Sequence, residues 1–188
     1  MNRSRRIAAA LAVALTGLAA CTAWAIDDRF DAAKTEKGGF APIANATYAK
    51  ECGSCHFTYL PGMLPERSWK ALLASKDHFG ESLDLAPGTK RELEEYLAAN
   101  AGDHSDYRGS ELMLERLDPS RTPMRITTLP LFNHRHVVIR KMMAESNLPV
   151  KRLTNCDACH ENASSGSFAY DHIVVPGVTK VIKPGSLF

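Results

Sequence analysis

The sequence lacks a strong excess of charge of either sign. Its 23 lysines and arginines face 21 aspartates and glutamates, which leaves a formal net charge of +2 with neutral histidines. The positive charges do not form the basic patch or stripe that marks a protein binding nucleic acid. Nucleic acid is therefore not expected as a partner.

Long hydrophobic runs are also missing. The one extended apolar segment, residues 7–20, is too short to cross a membrane comfortably. It follows the basic start Asn2-Arg3-Ser4-Arg5-Arg6 and precedes Ala23-Trp24-Ala25, the small-x-small pattern of a signal-peptide cleavage site. We therefore predict that residues 1–25 are a secretory signal peptide and that a periplasmic mature chain begins at Ile26.

A second cleavage pattern overlaps the first. The stretch Leu18-Ala19-Ala20-Cys21 resembles a bacterial lipoprotein box, which would make Cys21 an acylated N-terminus. Both patterns predict export, either as a soluble protein or with a lipid anchor. Removal of residues 1–25 lowers the Lys and Arg count from 23 to 20 against 21 acidic residues, so the mature polypeptide is near −1.

The mature chain has no cysteine to spare for a disulfide framework. Cys21 lies in the predicted signal peptide. The other four cysteines all lie in two pentapeptides, Cys52-Gly53-Ser54-Cys55-His56 and Cys156-Asp157-Ala158-Cys159-His160. Both read Cys-x-x-Cys-His, the attachment signature of c-type haem. Two such motifs predict two haem c groups as the cofactors.

The spacing of each motif has a chemical reason. Two thiols one helical turn apart can each add to a vinyl group on one edge of a porphyrin, and the histidine that follows can ligate the iron. We predict that the histidines His56 and His160 are the proximal ligands and that the thioether bonds form at four cysteines: Cys52, Cys55, Cys156 and Cys159.

A zinc knuckle or a redox dithiol would also use Cys-x-x-Cys. Structural zinc sites usually pair two such hairpins at a separation of roughly 12 to 20 residues. Here the motifs lie 104 residues apart, and each has its own histidine in the haem position. This arrangement favours haem.

The second motif lacks a later methionine. Only 28 residues follow His160, and none of them is methionine. In the common small cytochrome c layout, a methionine dozens of residues after the motif completes the iron coordination. The distal ligand of the second iron must therefore be His172 or an upstream residue, among Met124, His134, His136, Met142 and Met143.

Spacing narrows the choice of distal ligands. His78 follows His56 by 22 residues after one predicted helix, and His136 precedes His160 by 24 residues. We therefore predict His78 for the first iron and His136 for the second. The alternatives are His104 for the first iron, and either His134 or His172 for the second. Two histidines on each iron imply low reduction potentials and no vacant position, and Arg125 and Lys151 are candidate partners for the haem propionates.

The pattern of apolar residues predicts a mostly α-helical, cytochrome c-like protein in which covalent haem forms much of the core. Two small haem-binding halves, residues 26–104 and 105–188, are expected to meet at the polar stretch 100–109. Six helices are predicted. Three have both ends defined, at residues 46–56, 131–145 and 151–160. One begins at Pro65 and includes Trp69 and Leu73, one begins at Pro87, and one includes Leu117 and ends before Pro119. A short strand is predicted at residues 173–175.

Several of these stretches together resemble the dihaem cytochrome c family known as DHC. The matching elements, in order, are Tyr48-x-x-Glu51 before the first motif, Pro61-Gly62-Met63-Leu64-Pro65, Ser68-Trp69, His78-Phe79-Gly80, Arg125-Ile126-Thr127 and Asn155 before the second motif. The resemblance implies a helical periplasmic electron carrier with two low-potential bis-histidine haems. It also implies partners such as a membrane cytochrome b and a small oxygen-binding high-spin haem protein. The four cysteines and two proximal histidines carry over directly, whereas Asn133-His134-Arg135-His136 offers two candidates for one distal ligand.

The leading hypothesis is thus one-electron transfer between periplasmic redox partners, not enzymatic catalysis. The alternative is a dihaem enzyme of the peroxidase type, which needs one open axial position on an iron. No acid/base constellation for such chemistry stands out in the sequence. A carrier with methionine ligands is disfavoured by the missing late methionine.

Overall fold

The computed structural model describes residues 38–178, so the predicted signal peptide and Cys21 lie outside the described residues. Within that range no β-strand forms; only two isolated bridges occur, His78 with Glu81 and His160 with Ile173. The helices are α1 (Ala46–Gly53), α2 (Glu66–Ala74), α3 (Pro87–Ala99), α4 (Arg108–Leu114), α5 (Pro130–Arg135) and α6 (Val137–Glu145). The predicted mostly α-helical fold is confirmed.

Helix α1 leads into the first motif. Its N-cap is Asn45, whose side-chain oxygen accepts the backbone N–H of Tyr48 at 2.6 Å. The helix ends at Gly53, three residues before the predicted end, because glycine is a poor helix former. A β-carbon at Gly53 would also lie 2.3 Å from Thr58 Oγ1. The last turn of α1 therefore carries Cys52, while Cys55 and His56 follow in a turn.

The stretch between α1 and α2 is buried and fixed by two side-chain hydrogen bonds. The Tyr48 hydroxyl donates to the Tyr59 carbonyl at 2.6 Å, and Trp69 Nε1 donates to the Pro61 carbonyl at 2.8 Å. Residues 60–65 are all buried, and Pro61–Met63 forms a 3₁₀ turn. The Pro-Gly and Ser-Trp elements of the sequence are therefore in contact, because Trp69 on α2 donates a hydrogen bond to the turn that follows the first motif.

Replacement of Trp69 by phenylalanine should lower the stability of the protein. The Pro61 carbonyl would lose its indole donor inside the core, which costs about 1–3 kcal/mol. Chemical denaturation of the holoprotein followed by circular dichroism measures this loss. Lys70→Ala, on the exposed side of the same helix, is the control and should change little; equal stabilities for Trp69→Phe and the wild type would contradict the assignment.

One hydrophobic core joins residues from both sides of the predicted boundary at residue 104. Helices α2 and α3 pack against each other, and α4 and α5 add Met113 and Phe132 to the same cluster. The segment 100–109 contains buried Ala101 and a 3₁₀ turn. The division into two halves stays a prediction. The core residues are Phe40, Tyr48, Leu60, Met63, Leu64, Trp69, Leu72, Leu73, Leu93, Leu97, Ala101, Met113, Ile126, Leu129 and Phe132.

Three local predictions were wrong. The helix expected over residues 131–145 is broken at His136, which has φ −107° and ψ 10° and separates α5 from α6. The second motif lies in a 3₁₀ turn, Cys156–Ala158, and not on an α-helix. The strand expected at residues 173–175 is a single bridge between Ile173 and His160.

Candidate functional site

The first predicted ligand pair comes together in the structure. His56 follows α1, and His78 lies in a tight turn closed by backbone hydrogen bonds with Glu81 at 2.7 and 3.3 Å. Phe79 and Gly80 have positive φ angles of 62° and 102° in this turn, and Asp77 Oδ1 accepts the N–H of Gly80 at 2.6 Å. The ring centroids of His56 and His78 lie 6.2 Å apart, and the two ring planes are inclined by 23°.

The second predicted pair also comes together. His136 occupies the break between α5 and α6, and His160 follows the 3₁₀ turn of the second motif. Their ring centroids are 6.1 Å apart, with an interplanar angle of 61°. The chain beyond the motif closes back on it, because the Val174 N–H donates to the Cys159 carbonyl at 2.9 Å.

Both separations suit two imidazoles on opposite sides of one metal ion. A nitrogen ligand lies about 2.0 Å from a first-row metal such as zinc, and the ring centre about 1 Å further, so two opposed rings have centroids about 6 Å apart. Each pair is therefore spaced as two imidazole ligands of one metal ion would be. Among residues 38–178 no group of three or more His, Cys, Asp or Glu side chains converges as a metal cluster, so neither motif forms a four-ligand zinc site within this range.

The hydrogen bonds of the rings define which nitrogen can ligate. Nδ1 of His56 donates to the Phe57 carbonyl at 2.7 Å, and Nδ1 of His136 donates to the Phe132 carbonyl at 2.8 Å. This leaves Nε2 as the free nitrogen, which is the usual arrangement around a metal-bound imidazole. The other ring of each pair belongs to His78 or His160. The Nδ1 atoms of these two rings are buried and have no hydrogen-bond partner in the part of the chain that the structure describes.

Burial favours the neutral form of three of these imidazoles, those of His78, His136 and His160, and the neutral form is the one that binds a metal. It lowers the pKa of His78, with the nearby His56 adding to the effect, and it lowers the pKa of His136. The largest shift is at His160, where burial and then His136 lower the pKa to about 4. The electrostatics of both sites therefore favour nitrogen ligands that are not protonated.

No disulfide bond joins any of the four motif cysteines, all of which lie within residues 38–178. Burial raises the pKa of Cys52 to about 11 and the pKa of Cys156 to about 12, and it also raises the pKa of Cys159. A redox dithiol depends on a lowered thiol pKa, because the thiolate is the attacking species. The environment of the cysteines therefore does not match a thioredoxin-like centre.

Exposed apolar residues adjoin both pairs of histidines along the chain. Between residues 38 and 178 the exposed large hydrophobic residues are Phe79, Val137 and Val174. Phe79 follows His78, Val137 follows His136, and Val174 is hydrogen-bonded to the Cys159 carbonyl. Apolar surface beside each imidazole pair suits a planar apolar group such as a porphyrin.

The alternative ligands have other surroundings, although His172 lies beside the second motif, where its carbonyl accepts the Glu161 N–H at 3.2 Å. Nε2 of His104 is 2.8 Å from Glu66 Oε2 at the surface, and His134 is exposed on α5. His172 is also exposed, with Nε2 3.9 Å from Asp171 Oδ1. Met124 packs against the core.

Three residues near the ligands were not predicted from the sequence as part of the site. The Tyr59 ring lies 5.1 Å from the His56 ring, and the Phe168 ring lies 4.9 Å from the His160 ring. Arg140 and Lys151 line the same cavity at the surface. Tyr59 could have been found from its position three residues after His56, whereas Phe168 and Arg140 have no distinguishing local pattern.

Comparison with known proteins supports the haem interpretation. The family model for dihaem cytochrome c matches residues 48–168. A diheme cytochrome c from Rhodobacter sphaeroides is 34% identical, with a TM-score of 0.58 over 68% of this chain and 99% of that one. The diheme cytochrome from Shewanella baltica OS155 is 30% identical, with a TM-score of 0.56 over 71% of this chain and 94% of that one. A comparison with curated proteins gave no match.

The chain therefore belongs to the dihaem cytochrome c family. Membership implies two covalently bound haem c groups and a role as a haem-based electron carrier, which confirms the predicted cofactors and the class of protein. In the part of the chain that the structure describes, no helix has the length and apolar character to cross a bilayer.

Proposed function

We propose that this protein is a periplasmic electron carrier that transfers single electrons through two low-potential haems, each held between two histidines. The observation that carries the proposal is the pair of imidazoles that come together at each motif, with centroids 6.2 Å apart at His56 and His78 and 6.1 Å apart at His136 and His160. His56 and His160 are the proximal ligands, and His78 and His136 the distal ones.

The chain would attach each haem through the two cysteines of its motif. Cys52 and Cys55 serve the first group, and Cys156 and Cys159 the second. Covalent attachment suits this protein because the second motif is framed by short 3₁₀ turns, Cys156–Ala158 and Ala163–Ser165. Thioether bonds would retain the group without a deep enclosing pocket.

Two imidazoles on each iron account for a carrier function. The haem iron supplies the one-electron couple, and histidine as the second axial ligand gives a lower potential than methionine. With both axial positions occupied by protein, no site is left for peroxide or oxygen. The carbonyls of Phe57 and Phe132 orient one imidazole in each pair and increase its basicity.

Basic side chains near the ligands suit the propionates. The Arg125 guanidinium lies 3.7 Å from the centre of the Phe79 ring, beside His78. Lys151 lines a surface cavity with Arg140 and Thr154, close to the second motif. We propose Arg125 for the first haem and Lys151, with Arg140, for the second, since guanidinium and ammonium groups bind carboxylates strongly.

The proposed partners are a membrane cytochrome b and a small high-spin haem protein, by resemblance to the family. The basic and apolar N-terminal residues support a signal peptide and a periplasmic location, with cleavage either before Ile26 or at Cys21. Mass spectrometry of the mature protein would distinguish these two forms, because only the second carries a lipid.

Visible absorption spectroscopy with carbon monoxide tests the carrier function. The purified protein should show low-spin spectra in both oxidation states, and carbon monoxide should leave the reduced spectrum unchanged because both irons are fully ligated. Rapid binding of carbon monoxide at one haem would contradict the carrier proposal and would support the dihaem enzyme of the peroxidase type. A pyridine haemochrome assay serves as the control for two haems per chain.

A further inference from the structure

Tyr59 connects the two haem-binding motifs. Its hydroxyl donates to the carbonyl of Thr154 at 3.0 Å, across 95 residues of sequence, and Thr154 lies two residues before Cys156. On its other side, the Tyr59 ring lies 5.1 Å from the His56 ring, at an interplanar angle of 37°. A single side chain therefore touches a proposed axial ligand of the first iron and the backbone that leads into the second motif.

Neighbouring aromatic residues fix the position of Tyr59. Its carbonyl accepts the hydroxyl of Tyr48, a core residue that is only 1% exposed. The edge of the Phe57 ring packs against the Tyr59 ring with centroids 5.7 Å apart. Pro61, two residues after Tyr59, is also fixed, because its carbonyl accepts the indole N–H of Trp69. Because its backbone and ring are both held by the core, Tyr59 can transmit the position of the first motif to the second.

The phenol also remains a donor under ordinary conditions. Burial raises the pKa of Tyr59 to about 12. The hydroxyl is therefore protonated at neutral pH and keeps its bond to Thr154.

Resting on the axial ligands proposed above, we infer that Tyr59 is a positioning residue that holds the two haem sites at a fixed separation. In this role it sets how strongly the two irons interact, both magnetically and in their reduction potentials. The hydrogen bond from Tyr59 to Thr154 fixes the distance between the two motifs. Loss of the hydroxyl frees the segment before Cys156 from the first motif, so the interaction between the irons becomes weaker.

The test compares electron paramagnetic resonance spectra of the fully oxidised and half-reduced holoprotein, with a parallel redox titration. The wild type should show a magnetic interaction between two low-spin ferric irons, which disappears when one is reduced. Tyr59→Phe keeps the ring on His56 and removes only the hydroxyl. We expect it to retain both haems while its magnetic interaction weakens and its two midpoint potentials move closer together.

Tyr96→Phe is the matched control, because the Tyr96 hydroxyl also bonds to backbone, accepting the Ala44 N–H at 3.2 Å. This variant should match the wild type in both measurements. A Tyr59→Phe protein with unchanged interaction and potentials would overturn the inference, as would a wild type whose two low-spin irons do not interact. Neither result affects the proposed function, which fails instead if the wild type shows a high-spin haem.

Discussion

Replacement of His78 by alanine should convert one of the two haems from low-spin to high-spin and open it to carbon monoxide. The centroid of the His78 ring lies 6.2 Å from that of the His56 ring. Without His78 the first iron loses its distal nitrogen, and a weak-field ligand such as water replaces it. We expect carbon monoxide to bind one haem per chain and the potential of that haem to rise.

The control for this prediction is His104→Ala, which removes the alternative distal ligand. His104 is bound to Glu66 at the surface, so its loss should leave both haems low-spin and closed to carbon monoxide. The measurement is optical titration of the reduced proteins with carbon monoxide. The assignment would be contradicted if His104→Ala opened a haem and His78→Ala did not.

The replacement of both Cys156 and Cys159 by serine should leave one covalently bound haem per chain. Serine cannot form the thioether bonds, and the second site is built from short turns that give little enclosure of their own. Intact-mass spectrometry should show a loss of one haem relative to the wild type. The thermal unfolding temperature should also fall, because the folded state would lose the contacts that it makes with the apolar haem.

The replacement of both Cys52 and Cys55 by serine is the matched comparison. It should also leave one covalent haem per chain, the one at the second motif. Two covalent haems in the Cys156→Ser, Cys159→Ser protein would show that the second motif is not an attachment site. Such a result would leave the family assignment intact and remove the proposed roles of these two cysteines.

Much of the site could be predicted because haem attachment depends on a short local motif. The Cys-x-x-Cys-His spacing is a chemical requirement, and the intervals from His56 to His78 and from His136 to His160 limited the distal ligands to a few candidates. The structure brings both of the preferred pairs together. The choice between His134 and His136 could not be derived from spacing alone, since the two differ by only two residues.

The break at His136 was missed for a physical reason. The residues around it have helical periodicity, but the Phe132 carbonyl accepts both the backbone N–H of His136 at 3.1 Å and its Nδ1 at 2.8 Å. This side-chain bond competes with regular helix geometry. The contact between Tyr59 and Thr154 was invisible for a different reason, because no local pattern specifies a hydrogen bond across 95 residues.

The most direct test of the account is an electron paramagnetic resonance spectrum of the oxidised wild-type protein, quantified against its haem content and followed through a redox titration. If each iron lies between two imidazoles, all of the iron should appear as low-spin ferric haem, and both centres should be reduced at low potential. A high-spin signal from either haem, or a midpoint potential in the range of histidine–methionine cytochromes, would contradict it.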